Sequence, residues 1–180
     1  MNRRWICWLC GAVMVLFIFW GLEGWAQSRS GSNAPVITHA FAVEKIKYGD
    51  ILKVYIEAED PDGEMVKIAT VVDQAGYGRY PTSEVYLKST DRKHFKGYLQ
   101  WNTFSSKTPF VSEWTPITLT VSVSDKYGNE SNAFAFPITF ESGVKRASSY
   151  PVPSPFDQSD IRKLGSINIE LIDFTIWQSE

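Results

Sequence analysis

The segment from Ile117 to Ser124 constrains the fold more than any other part of the chain. Over these eight residues Ile117, Leu119, Val121 and Val123 alternate with Thr118, Thr120, Ser122 and Ser124. A period of two gives a helix no apolar face, but it gives a strand one buried side and one solvated side. The pattern recurs along the chain. Phe134, Phe136, Ile138 and Phe140 alternate with Ala133, Ala135, Pro137 and Thr139. Pro137 has no backbone donor, so this strand is expected at an edge or with a bulge there. Leu52, Val54, Ile56 and Ala58 alternate with Lys53, Tyr55 and Glu57, and Val66, Ile68, Thr70 and Val72 form a more apolar strand. Phe95, Leu99 and Trp101 mark another around Gly97, while Val36 with Ile37 and Val85 with Leu87 mark two shorter ones. Turn chemistry separates them. Asp60-Pro61-Asp62-Gly63 sets a proline in the turn and frees a glycine for positive φ, and Asp125-Lys126-Tyr127-Gly128-Asn129 does similar work later. Short strands at this spacing predict an all-β, antiparallel two-sheet sandwich over residues 33–142.

The N-terminal segment is set aside from the fold. Arg3 and Arg4 precede an uncharged apolar run from Trp5 to Leu22, and Gly24-Trp25-Ala26 places small residues before a cleavage point after Ala26. Residues 1–26 therefore read as a secretory signal peptide. The run is also long enough to span a bilayer as an uncleaved anchor with the arginines inside. Either reading exports the chain to the periplasm, the cell surface or the extracellular space. The only two cysteines, Cys7 and Cys10, lie in this segment, so the exported part rests on an apolar core without disulfides. The whole chain has 18 basic and 20 acidic residues, a net charge of −2, which lacks the basic footprint of a nucleic-acid binder.

Gly49 to Gly63, the strand ending in Asp60-Pro61-Asp62-Gly63, resembles the second strand and turn of bacterial immunoglobulin-like and fibronectin-III-like domains. Ile117 to Asn129 is similar to their penultimate strand and turn, and Phe95-Lys96-Gly97-Tyr98-Leu99 to the strand between. The resemblance implies a secreted or surface β-sandwich serving as spacer, adhesive unit or accessory domain, and it implies no catalytic activity.

Catalytic patterns are absent. His39 and His94 have no zinc spacing, and there is no nucleophile elbow, phosphate loop or dinucleotide fingerprint. Two binding constellations stand beside plainer readings. The turns carrying Asp60, Asp62 and Asp125 are expected at one end of the sandwich, where oxygen ligands from two loops suit calcium. The plainer reading is that these side chains cap their own turns. In the segment Asp73 to Pro81, Tyr77, Arg79 and Tyr80 form a loop suited to stacking on a sugar or peptide. Its plainer reading is a loop folded back on the sheet rim. Trp101 and Trp114 are assigned to the core or its rim.

After Glu141 the composition changes. Residues 143–158 carry Ser148-Ser149, Pro151, Pro153 and Pro155 and read as a semi-extended linker. Residues 159–180 are too apolar for a solvated end. Ile167, Ile169 and Leu171 alternate with Asn168 and Glu170, then the phase shifts to Ile172, Phe174 and Ile176, which predicts a strand bulged near Leu171-Ile172. Gly165 and the many isoleucines weigh against a helix here. Such a strand either closes an edge of its own sandwich or joins the sheet of a protein partner through Ile167, Ile169 and Leu171. The leading functional expectation is a non-catalytic exported module for protein contacts. The alternative is a carbohydrate-binding accessory module using the Tyr77–Tyr80 loop.

Overall fold

The computed structural model describes residues 33–173. The expected signal peptide or anchor, and the apolar positions Phe174 and Ile176, lie outside the described residues. The chain forms strands β1 (Val36–Phe41), β2 (Lys45–Ile46), β3 (Ile51–Glu59), β4 (Met65–Gln74), β5 (Gly78–Arg79), β6 (Ser83–Tyr86), β7 (His94–Asn102), β8 (Ile117–Asp125), β9 (Phe134–Phe140) and β10 (Arg162–Ile167). One sheet has the order β1-β3-β7-β10, and the other β2-β9-β8-β4-β5, with β6 also pairing β4. This is an all-β immunoglobulin-like sandwich. The alternation read in the sequence decides which side chains face inward: Leu52, Val54 and Ile56 from β3 meet Leu119, Val121 and Val123 from β8, all fully buried.

Pro137 sits in β9 opposite Thr118 of β8, with no bulge in the register. On its other side β9 pairs only at Thr139 and Phe140, with Lys45 and Ile46 of β2. The proline thus occupies a stretch of open edge, where a missing donor breaks no ladder and discourages pairing with another chain.

Two pairings are parallel, β2 with β9 and β10 with β7. The second changes the expected domain boundaries. Residues 87–93 supply only a short helical turn, Ser89–Asp91, so the fourth place in the first sheet is left for the chain's own tail. β10 fills it. Gly97 makes this approach possible, since a Cβ there would lie 2.7 Å from the Arg162 carbonyl oxygen and 2.5 Å from Leu164 Cγ. The irregularity falls between Lys163 and Gly165, not near Leu171-Ile172. Beyond β10 the extended chain keeps alternating, and Ile167, Ile169 and Leu171 belong to the main core. Trp101 lies opposite both Leu52 and Ile167, and its Nε1–H donates to the Ile169 carbonyl at 2.9 Å.

The preceding segment is not a free spacer. Residues 142–161 run over the outer face of the first sheet as a strap, with Phe156 buried against Tyr55 at a ring separation of 5.5 Å. Ala147 N–H donates to Asp50 Oδ2 at 3.2 Å, tying the strap to the turn before β3.

Candidate functional site

Asp60 is 1% exposed, and its two carboxylate oxygens accept the backbone N–H groups of Asp62 and Glu64 at 2.8 and 3.0 Å. Asp125, also buried, accepts from the N–H groups of Tyr127 and Asn129 through Oδ1, and from the Asn129 amide through Oδ2 at 2.7 Å. Asp62 Oδ2 accepts from the Asn33 N–H at 2.7 Å. The two turns do lie together, as expected, with Lys126 N–H donating to the Glu64 carbonyl at 3.0 Å. The Lys126 ammonium also pairs with the Glu64 carboxylate, linking the two turns. Among the described residues no three His, Cys, Asp or Glu side chains gather as a metal-ligating group. Asp60 and Asp125 thus cap their own turns: buried amides in tight turns must be paired, and these two carboxylates pair them.

Tyr77, Arg79 and Tyr80 are each engaged within the chain. Tyr80 is 4% exposed; its hydroxyl donates to Gln74 Oε1 at 2.6 Å and accepts from the Ile172 N–H at 2.9 Å. Burial pushes that hydroxyl's pKa up to about 12, the hydrogen bond from Ile172 opposing the shift. Tyr77 stacks on Tyr80 at 4.4 Å, so one ring face is already covered. Arg79 grips Asp73 with two hydrogen bonds of 2.9 and 3.1 Å. This loop anchors the tail.

Ile167, Ile169 and Leu171 are 4%, 6% and 1% exposed, packed into the core of their own sandwich. Asn168 N–H donates to Ser83 Oγ, and Gln74 Nε2 donates to the Ile172 carbonyl at 2.7 Å. Arg162 pairs with the buried Asp91 carboxylate.

Trp101 is in the core, but Trp114 is not. It belongs to the long connection of residues 103–116 between β7 and β8, which displays Phe104, Phe110 and Trp114 at 56%, 50% and 63% exposure. Sequence reasoning missed this surface, although the loss of alternation after Trp101 together with three aromatics in an irregular stretch was its signal. The loop is held from below. Tyr48 OH donates to the Thr108 carbonyl at 2.8 Å and accepts from the Ser105 N–H at 3.0 Å. Thr103 Oγ1 donates to the Asp50 carbonyl at 2.7 Å, and Thr108 Oγ1 to the Phe110 carbonyl at 2.6 Å. Thr103, Ser105, Thr108 and Val111 are buried. Trp114 itself has φ 66°, a left-handed conformation rare for a bulky residue, and its N–H donates to the Phe140 carbonyl at 3.2 Å. Lys45 Nζ lies 5.8 Å from the centre of its ring.

No family model matches the sequence, and no curated protein matches it. Among solved structures, the chain is similar to the CARDB domain of a Pyrococcus furiosus protein, determined in complex with di-metal ions. The two share 10% identity over 61% of this chain and 90% of that one, with a TM-score of 0.35.

Proposed function

We propose that this chain is a non-catalytic, exported β-sandwich module that contacts a protein partner at the cell envelope or outside the cell through residues 103–116. The observation that carries the reading is the display of Phe104, Phe110 and Trp114 on a loop whose backbone is fixed by buried hydroxyls. Large rings on a preorganised segment lose little conformational entropy on association, and Trp is enriched where interface energy concentrates. The strained φ of Trp114 fits the same purpose, since such conformations persist at sites that need one fixed presentation.

The test is site-specific photo-crosslinking in the producing cell, with the reactive residue at Phe110 and, as control, at Tyr127, which is exposed on a different turn. A discrete crosslinked protein at Phe110, absent at Tyr127 and lost on Trp114→Ala, supports the reading. Crosslinking that is absent at Phe110, or indifferent to Trp114, refutes it.

A further inference from the structure

The tail beyond β10 runs along the aromatic loop. Ser106 Oγ donates to Glu170 Oε2 at 2.9 Å, and Ser112 Oγ donates to Asp173 Oδ2 at 3.2 Å. Between Glu170 and Asp173 the tail therefore passes from Ser106 to Ser112, and that direction of travel points on toward Trp114. It is firmly held as far as this. The Ile172 N–H donates to the Tyr80 hydroxyl at 2.9 Å, the Ile172 carbonyl accepts from Gln74 Nε2 at 2.7 Å, and Asp173 is buried.

The anchor at Ser112 stands between two of the displayed rings. Phe110 and Trp114 are each two residues away from it in sequence, which keeps their Cα atoms within about 7.6 Å of the Ser112 Cα. After Asp173 the sequence continues Phe174-Thr175-Ile176-Trp177. An extended chain covers about 3.3–3.6 Å per residue, so two or three residues suffice to reach either ring. Phe110 and Trp114 are both exposed. Three large apolar side chains thus follow directly on an anchor set between two exposed rings, and contact between them removes apolar surface of both from water.

We propose that Phe110 and Trp114 take the chain's own residues 174–177, so that this surface is occupied in cis until a partner displaces them. The occupancy is argued from the tail's path alone, while its regulatory consequence rests on the protein-contact reading. A segment on so short a tether acts at an effective concentration of about millimolar, so even a weak contact keeps the rings largely covered. A partner meets only the uncovered fraction, and its apparent affinity falls by that fraction. The tail is then a built-in competitor for the surface that the loop presents.

The test places the photo-reactive residue at Phe110 of the full chain, with Tyr127 as control, and maps crosslinks in the purified protein by mass spectrometry. The protein is kept in mild detergent and irradiated at two concentrations. A crosslink from position 110 to residues 174–177 of the same chain, absent from position 127 and unchanged by dilution, is expected. The Phe174→Ser/Trp177→Ser variant should keep the wild-type melting curve and lose most of that crosslink. In the producing cell the same variant should raise the partner crosslink at position 110 by at least about threefold. Should the variant fail to fold, the map of the wild-type chain decides alone. No crosslink to residues 174–177, one formed only between chains, full retention in the folded variant, or a partner crosslink that does not rise overturns the proposal. The crosslink within the chain, with no partner crosslink in either protein, supports the occupancy and refutes the protein-contact reading instead.

Discussion

Replacing Gly165 by alanine adds one methyl group where β10 passes β6. An ideal Cβ at this position lies 2.4 Å from Val85 Cγ1, 2.9 Å from Cγ2 and 3.2 Å from Cβ. Carbon atoms in good contact sit about 3.5–4.0 Å apart, so the strand or Val85 must move by roughly 1 Å. Overpacking of this kind costs about 1–3 kcal/mol. Val85→Ala removes both Cγ atoms and leaves only the Cβ contact. In that background the glycine-to-alanine change should be close to neutral, because restricting the unfolded chain returns about 0.4–1 kcal/mol. The two substitutions should therefore couple by about 1–3 kcal/mol, well outside the roughly 0.3–0.5 kcal/mol scatter of independent sites. Urea unfolding followed by tryptophan fluorescence measures all four corners of the cycle, with equal m-values as the check on two-state behaviour. Running it at two protein concentrations tests whether the tail docks within its own chain. Additive effects, or coupling that depends on concentration, would refute the placement of β10.

Asp60→Ala should lower stability by about 1–3 kcal/mol through two stranded amides, and calcium or a chelator should leave the wild-type melting curve unchanged. Tyr80 holds its proton more tightly when folded, so its contribution is intact below pH 10 and is lost as the pH rises through about 12. Tyr80→Phe should remove this alkaline loss from the stability profile. Trp114→Gly should relieve the positive φ and raise stability by about 1 kcal/mol in urea unfolding, while abolishing the crosslink at Phe110. A chain ending at Tyr150 should show no cooperative thermal transition by circular dichroism. Ile167, Ile169 and Leu171 contribute about 1.5–3 kcal/mol each, against a total of about 5–15 kcal/mol for a domain.

The sequence alone determined the long strands β3, β8 and β9 and their faces. Alternation in β3, β8 and β9 decides which side chains are buried, because successive side chains in a strand point to opposite faces whatever the neighbours are. Asp60-Pro61-Asp62-Gly63 likewise specified a turn, since its cap, its fixed φ and its glycine act within a few residues. Pro137 limited its strand to an edge or a bulge for the same local reason. Tyr55 was placed on the polar face by the same alternation, and the period was right: it points outward. What buries it is Phe156, a hundred residues later, and no local pattern carries that information.

Tertiary structure decided the neighbours. A period of two tells Ile167, Ile169 and Leu171 to face something apolar, but it is silent on whether that surface belongs to the same chain. The answer came from a vacancy beside β7, where residues 87–93 fail to make a strand, and from Gly97, which lets the Arg162–Leu164 backbone come close. The acidic turns met at one end as topology required, yet their carboxylates were consumed by amides whose burial only the folded chain reveals. Trp101 and Trp114 make the contrast sharpest. The first has its indole N–H paired with the tail and the second stands in solvent, though both are tryptophans flanked by polar residues. Burial depends on what the rest of the chain brings alongside, and that depends on contacts between residues far apart in sequence.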